Sequence, residues 1–458
     1  MRTVSIFCGC GGLDLGFKEH GFEIAYACDY DEHAVDCYRR NVDDRVFVRD
    51  VTSDCFHADI QELCGCDLVL GGFPCQGFSK AGPKQESDLR NTLYREMLAV
   101  VRQLQPRLFL AENVDGLAQN FQGTFLKQIV TDFRKIGYEV EHRILDAAAF
   151  GVPQHRRRIV FAGYQAASSV EGFPWPAPTH AVRSRNGEFK ITSDKPQRSL
   201  FDPLPETAQK KLRRARTIRD AIGDLVELSD SVADHAITNA WPQKYDAVFR
   251  AIAPGQKLCN VRHANTSVYS WQIPEVFGEV SERQAFLLET ISKHRRHKRY
   301  GDIPNGNPLS AEEISRLTDF TEIQSDIESL LSRGYLKEVN GKYDLKGAMF
   351  CSGLFKRPSW DEPSPTVLTN FHNPRYFLHP TKDRPLSLRE CARLQSFPDS
   401  FKIMAPGSAM DLVSGYRLIG NAVPPLFAMA IAKSAEQFLC SDRSGVGVAL
   451  HSVSVLRG

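Results

Sequence analysis

The chain has 458 residues, enough for about three domains at roughly 150 residues each. Hydrophobic residues make up 42% and charged residues 24%, which excludes a disordered chain and a fibrous repeat. Lys and Arg number 57 against 55 Asp and Glu, so the average charge of +2 carries no nucleic-acid signal, although its distribution does. No run of about 18 apolar residues occurs, so no membrane-spanning helix and no membrane partner are expected. The apolar stretch Val4–Leu15 behind Arg2 holds glycines and Asp14 and lacks an A-x-A site, so it reads as structure rather than a signal peptide. A cytoplasmic protein is expected. Its twelve cysteines are then reduced, and the pairs Cys8/Cys10 and Cys64/Cys66 do not fit zinc spacing, so no metal is expected.

The first 165 residues alternate short apolar runs with segments of helical length. The runs are Thr3–Phe7, Phe22–Ala27, Val46–Val48, Asp67–Leu70, Arg107–Ala111 and Arg158–Ala162. This is the rhythm of an α/β, doubly wound, Rossmann-like sheet, whose ligands sit beyond the C-terminal ends of the strands. From Glu171 the texture changes. Gly172–Pro178 reads as a linker, and 165–360 loses the α/β rhythm. Two basic patches fall there, Lys210–Arg219 and Lys293–Arg299. Ser310 with Glu313, and Thr321 with Gln324, each have capping-box spacing. The second helix carries Ile323, Ile327, Leu330 and Leu331 on one face, and Gly334 can end it. Two strand-like runs then flank Asn340-Gly341, a two-residue hairpin signal. Helix, helix, hairpin over 309–345 is the order of a winged helix; it suits either DNA contact or a small packing module. Beyond Pro363, Leu388–Gln395 reads as a helix, Gly415–Pro425 as a loop, and Leu426–Leu439 as a helix opened by Pro424-Pro425.

The residues following the strands carry the chemistry. Phe7-Cys8-Gly9-Cys10-Gly11-Gly12 is a glycine-rich turn where a ligand can approach the backbone at a helix start. Asp29 follows the second strand, where a carboxylate suits ribose hydroxyls, and Asp50 follows the third, where it suits an adenine amino group. Cys75 sits after the fourth strand in Gly71-Gly72-Phe73-Pro74-Cys75-Gln76. That position exposes the sulfur and can lower its pKa; the alternative is a buried structural thiol. Glu112-Asn113-Val114 follows the fifth strand, and Glu112 is either a proton donor or a solvated loop residue. In Gln154-His155-Arg156-Arg157-Arg158, alternation puts Arg156 and Arg158 on one side, suited to an oxyanion or phosphate.

Taken in order, these segments resemble the DNA cytosine-5 methyltransferase family. Arg90-Asn91-Thr92-Leu93, Arg389–Pro398 and Gly420-Asn421 extend the likeness, which covers roughly 1–164 and 362–440. The organisation it implies is a catalytic and cofactor-binding domain over 1–164, a target-recognition region over 165–360, a return to the catalytic domain over 361–440, and a tail over 441–458. The resemblance implies S-adenosyl-L-methionine as methyl donor. Phe7 would pack on the adenine, with Gly9, Gly11 and Gly12 forming the turn. Asp29 would bind the ribose, Asp50 would meet the adenine amino group and Asn421 would help hold the methionine end, with Tyr30 and Val51 also in the cofactor-binding set. The family often places an acid two residues before the phenylalanine, where this chain has Ser5.

The implied reaction explains the residue types. Cytosine C5 is a poor nucleophile. A thiolate from Cys75 adding at C6 makes C5 nucleophilic. Glu112 would protonate or hydrogen-bond N3, and Arg158 with Arg156 beside it would hold the ring oxygen. The base must leave the duplex to be reached. Gln76–Thr92, with Gly77 and Gly82 as hinges, reads as a loop closing on it.

Two alternatives stand beside this one. The same fold acts on transfer RNA in one branch of the family, but that branch carries a Cys-Phe-Thr tripeptide absent here. A catalytically dead DNA-binding protein is the other, against which stand Cys75, Glu112, Arg156 and Arg158. The compact plan resembles a bacterial modification enzyme: a monomer on a specific duplex DNA site, commonly paired with a cognate restriction endonuclease.

Overall fold

The computed structural model describes residues 1–63, 65–74, 93–119, 123–183, 189–190, 212–229, 231–238, 241–262, 264–303, 306–346, 354–404 and 410–442. They fall into two compact units. The first comprises Met1–Ala236, Asp361–Thr369 and Ser387–Gly458; the second comprises Ile237–Trp360 and Asn370–Leu386.

The first unit is built on seven strands: β1 (Arg2–Ile6), β2 (Glu23–Asp29), β3 (Val46–Val48), β4 (Leu68–Gly71), β5 (Leu108–Val114), β6 (Tyr138–Asp146) and β7 (Arg157–Gln165). Their order is β3-β2-β1-β4-β5-β7-β6. β1 to β5 run parallel, and β7 enters antiparallel between β5 and β6. Helices α1 (Gly12–Glu19), α2 (Glu32–Asn41), α3 (Asp54–Glu62), α4 (Tyr94–Leu104) and α5 (Thr124–Lys135) connect them. The order reverses between β1 and β4, which opens a crevice at their C-terminal ends. All six expected runs are strands. β6 had no apolar run to announce it. It is an edge strand, and Glu139, Glu141, His142 and Arg143 break its apolar pattern.

The strand alternation explains the two layers. Val4, Ile6, Val69, Phe109 and Phe161 pack on one face with Met97, Val101 and Phe133. Leu68, Leu70, Leu108, Leu110 and Val160 pack on the other with Phe17, Phe427, Ile431 and Phe438. Each such side chain contributes about 1.5–3 kcal/mol on burial. The stretch Leu412–Ser441 is long and apolar enough to cross a membrane by length and composition alone, but 67% of its most apolar window is buried inside the protein.

The expected loop Gly415–Pro425 is corrected. Helix Leu412–Asn421 runs through most of it, capped by Asp411, whose carboxylate accepts from the Ser414 N–H at 2.7 Å. Only 422–424 bridges to helix Pro425–Ser441, which does begin on the proline pair. Gly415 and Gly420 permit close packing here. A Cβ on Gly415 would lie 2.6 Å from the Leu388 side chain, and one on Gly420 would lie 2.5 Å from the Thr369 nitrogen.

The second unit contains α6 (Glu282–His294), α7 (Ala311–Thr318), α8 (Gln324–Ser332) and a hairpin of β8 (Leu336–Val339) and β9 (Lys342–Leu345). Ser310 and Glu313 close the expected capping box. The box expected at Thr321 does not form. Glu322 takes a φ of 52°, and Ile323 caps α8 without a side-chain bond. Burial of Ile323 among Leu287, Ile314 and Ile327 sets that start instead. Gly334, at φ 76°, ends α8: its N–H donates to Leu331 and that of Tyr335 to Leu330. Val339 pairs with Lys342, leaving Asn340 and Gly341, both at positive φ, as the turn.

Candidate active site

The glycine-rich turn leaves β1 at Ile6. Phe7 and Gly9 take φ of 56° and Gly11 takes 89°. Gly11 donates to the Cys8 carbonyl at 3.0 Å, and Cys8 donates to the Cys28 carbonyl at 3.1 Å, tying the turn to β2. The three glycines differ in purpose. A Cβ on Gly11 would lie 2.6 Å from Val42, and one on Gly12 would lie 2.2 Å from the Val423 carbonyl, whereas one on Gly9 meets nothing within 4 Å. Gly11 and Gly12 therefore serve packing, and Gly9 borders open space. Asp29 accepts from the Gly9 N–H at 2.9 Å and from the Asp31 N–H at 3.0 Å. Burial still raises its carboxyl above the ordinary range, against those two bonds. Tyr30 beside it is 68% exposed.

Asp50, at the end of β3, is exposed, and its Oδ1 accepts from the Thr52 N–H at 2.9 Å and the Thr52 hydroxyl at 2.8 Å. Those bonds hold its carboxyl below the usual range. Val51 is buried in the core, and Asn421 is exposed at the end of its helix. Ser5, where an acid was expected, faces a carboxyl from another element: that of Asp14 on α1. Asp14 is fully buried and pushed up to about 6, chiefly by burial, with the Ser5 and Tyr38 hydroxyls pulling it part-way back. Nothing in the local sequence marks Asp14 as a polar core residue, because it occupies a first-turn position that ordinarily faces solvent.

β4 leads into Gly71-Gly72-Phe73-Pro74. The Phe73 carbonyl accepts from Asn113 Nδ2 at 2.9 Å, which fixes this exit against β5. Cys75 and the loop 76–92, with Gly77, Gly82 and Arg90-Asn91-Thr92, lie outside the described residues. Glu112 does not. A Cβ on Gly72 would lie 3.9 Å from its Oε2. Arg158 pairs with Val114 across β5 and β7, which places it on the same face as Glu112, two residues back. Arg158 Nε lies 2.7 Å from Glu112 Oε1, and both side chains are 13% exposed. The N–H is not aimed along that line: Glu112 Oε1 is buried with no hydrogen-bond partner among the described residues.

Arg156 lies near enough to Arg158 to feel its charge, but its side chain turns to the fold. It is fully buried and stands before β7 begins. Its guanidinium donates to the carbonyls of Val367 at 3.2 Å, Gly420 at 3.0 Å and Asn421 at 3.3 Å. Burial, and then the Arg158 charge, hold it well below the usual arginine range. Its two terminal nitrogens serve the returning C-terminal segment, so the pair does not present two free arginines to one pocket. Gln154 works alongside it. Its Nε2 donates to the Leu394 carbonyl at 3.0 Å and to Gln395 Oε1 at 2.7 Å, and its Oε1 accepts from the Val367 N–H at 2.7 Å. Gln395 in turn donates to the Ile419 carbonyl at 2.7 Å. Sequence reasoning missed Gln395 and Asn113 as positioning groups. Each stood inside a quoted motif, but its partner is far away in the chain.

The model of the C-5 cytosine-specific DNA methylase family matches residues 1–437. The chain belongs to that family. It is a DNA cytosine-5 methyltransferase. The Type II methyltransferase M.AgeI of Thalassovita gelatinovora is 30% identical over 443 residues, which cover 95% of this chain and 99% of that one. M.HgiCI of Herpetosiphon aurantiacus is 28% identical, covering 96% and 100%. The match therefore runs through the middle of the methyltransferase, where no motif was legible.

The two basic patches of this methyltransferase are less free than their sequences suggest. In the first, Lys210 and Lys211 lie outside the described residues, Arg214 lies 3.2 Å from Asp220, and Arg219 lies 2.9 Å from Asp361. In the second, Arg295 is buried and makes a two-pronged ion pair with Asp344, at 2.7 and 2.8 Å. Its backbone carbonyl accepts from the Asn307 N–H at 2.7 Å. Lys293, Arg296, Lys298 and Arg299 remain exposed.

Proposed function

We propose that this methyltransferase moves a methyl group from S-adenosyl-L-methionine to C5 of a flipped-out cytosine in a specific duplex DNA sequence, through a bond between Cys75 and C6. The observation that carries the reading is Glu112: a buried carboxylate oxygen with no hydrogen bond among the described residues, beside the Arg158 charge and facing the strand exit that leads to Cys75. A ring nitrogen that gains electron density needs such an acid, and a ring oxygen needs such a cation.

The residues present fit the cofactor. Gly9 borders open space at the end of β1, and Asp29 keeps a carboxylate at a burial cost at the end of β2. Phe7 would cover the adenine, Asp29 the ribose with Tyr30 beside it, Asp50 the adenine edge with Val51 beside it, and Asn421 the methionine end, while Gly9 leaves room for the ligand and Gly11 and Gly12 shape the turn by close packing. Bound there, the cofactor supplies an electrophilic methyl group. The Cys75 thiolate adds to C6, and Glu112 gives N3 a proton or hydrogen bond while Arg158 holds O2. Once C5 carries its methyl group, a base takes the C5 proton and the Cys75–C6 bond breaks. Arg156 is a positioning residue, holding the segment that carries Asn421.

The second unit would supply target recognition. The exposed cations of 293–299 support that assignment, phosphate contacts setting affinity and base contacts setting choice. The Type II names of the relatives support a bacterial enzyme that protects DNA from a cognate restriction endonuclease; it would act in the cytoplasm as a monomer. Labelled methyl transfer to duplex DNA and to transfer RNA tests the reading. Transfer to DNA alone, with one sequence marked in bisulfite reads, is expected. Transfer to RNA alone overturns it.

A further inference from the structure

We propose that Lys257, Arg262 and Lys356 form a binding cluster for the phosphates of duplex DNA, and that α8 is not the element that reads bases. The proposal rests on the reading of the second unit as the DNA-contacting one. No charge run marks the three residues. The fold brings two of them together, because Leu258 and Leu354 exchange backbone hydrogen bonds of 2.8 and 2.9 Å, joining the segments of Lys257 and Lys356, and Arg262 stands exposed further along the segment of Lys257. Gly255 donates to the Arg357 carbonyl at 2.8 Å, and Arg357 donates to the Gln256 carbonyl at 2.9 Å, continuing the pairing. The Arg357 side chain is buried and donates to the carbonyls of Ile252, Phe249 and His379 at 2.7, 2.9 and 2.8 Å. The backbone beneath Lys356 is thus held on both sides.

Lys356 is half-buried, and its ammonium is pulled below the ordinary lysine range by burial and then by Lys257 and Arg262. Among the described residues, no carboxylate forms an ion pair with any of the three. Neighbouring like charges repel, more strongly where the effective dielectric is low. Such a cluster costs stability unless an anion offsets it, and a duplex backbone presents anions at regular spacing.

α8 has the opposite sign. It carries Asp326 and Glu328 and no Lys or Arg. Its exposed positions are Gln324, Ser325, Glu328 and Ser332. Around it the charges are mixed, with Glu312 and Arg316 exposed on α7, Glu322 before α8 and Arg333 at its C-cap, so the acidic character belongs to α8 itself. A helix of that charge is repelled by the two phosphate walls of a groove.

The test uses the full chain. Lys257→Ala, Arg262→Ala, Lys356→Met and their triple combination are compared by anisotropy on target and unrelated duplexes over a range of salt. The methionine preserves the packing of the Lys356 stem. Each lost phosphate contact should flatten the log–log salt slope by about 0.9. Both duplexes should weaken alike, and the melting temperature should not fall. A parallel set, Gln324→Ala, Ser325→Ala and Glu328→Gln, should keep the wild-type preference for the target. A triple variant with the wild-type slope overturns the cluster. Loss of target preference in the α8 set overturns the second half. Wild-type enzyme without affinity for duplex DNA sinks the parent reading, which is distinguishable because both of the other outcomes require wild-type binding.

Discussion

Each unit holds an arginine–carboxylate pair, and the two pairs do opposite work. In the first unit, Arg158 and Glu112 sit at the strand ends, 13% exposed, and leave Glu112 Oε1 without a hydrogen bond. In the second, Arg295 and Asp344 are 5% exposed and joined by two bonds, a saturated strut that anchors the chain behind the exposed cations. An unsaturated pair at the end of a strand is available to a substrate, whereas a saturated one in a core is available only to the fold. A charge run in a sequence does not distinguish them.

The largest expected effect separates chemistry from binding. Cys75→Ser should abolish turnover, because an alcohol is far less nucleophilic at neutral pH. DNA and cofactor affinity should survive, as equilibrium binding will tell; appreciable methylation by the variant would remove the covalent step. Glu112→Gln keeps a hydrogen bond and loses the acidic proton. The single-turnover rate should fall by about 10²–10⁴-fold, while a fluorescent reporter beside the target base still signals flipping. An unchanged rate would place the proton elsewhere and dissolve the contrast between the two pairs.

Next comes the strut. Arg295→Ala leaves the buried Asp344 only the half-exposed Lys337, 3.6 Å away, and should cost stability, up to about 3–5 kcal/mol where that lysine does not compensate, read from denaturant unfolding. Arg296→Ala should leave stability unchanged and weaken DNA binding. Equal behaviour of the two would mean that burial does not divide the patch. Asp14 is a third case, a buried carboxyl without a cation. Its pKa of about 6 lies above the ordinary 3.8, so between those values the folded state keeps a proton that the unfolded state loses. Stability should therefore fall as pH rises from about 4 to about 6, by about 3 kcal/mol in all. Asp14→Asn should lack that slope, and an identical pH profile in variant and wild type would contradict it. The smallest effect is at the cofactor. Asp29→Ala should weaken cofactor binding by about 1–3 kcal/mol, measured calorimetrically, with cofactor-free DNA affinity unchanged; equal loss of both would make Asp29 a structural residue.

The parallel strands of the first unit were legible because they are buried on both faces and read as apolar runs. The glycine turn, Asp29, Asp50 and Glu112 were legible because they follow those runs directly. The burial of Arg156 was not legible, because the carbonyls it serves, at Val367, Gly420 and Asn421, lie far along the chain. Gly415 and Gly420 suggested a loop, but they mark close contacts inside a helix. In the second unit the hairpin was legible from Asn340-Gly341 alone, a local signal. The start of α8 was not, since burial of Ile323 overrode the capping spacing at Thr321. The cluster of Lys257, Arg262 and Lys356 was invisible, because tertiary pairing makes it.

The most direct test of the central claim places 5-fluorocytosine at the target position of a duplex. Fluorine cannot leave C5 as a proton does, so the enzyme should stay attached after methyl transfer. A denaturation-resistant protein–DNA adduct that maps to Cys75 by peptide mass is the predicted result. Turnover on ordinary DNA with no such adduct, or with an adduct at another residue, would contradict it.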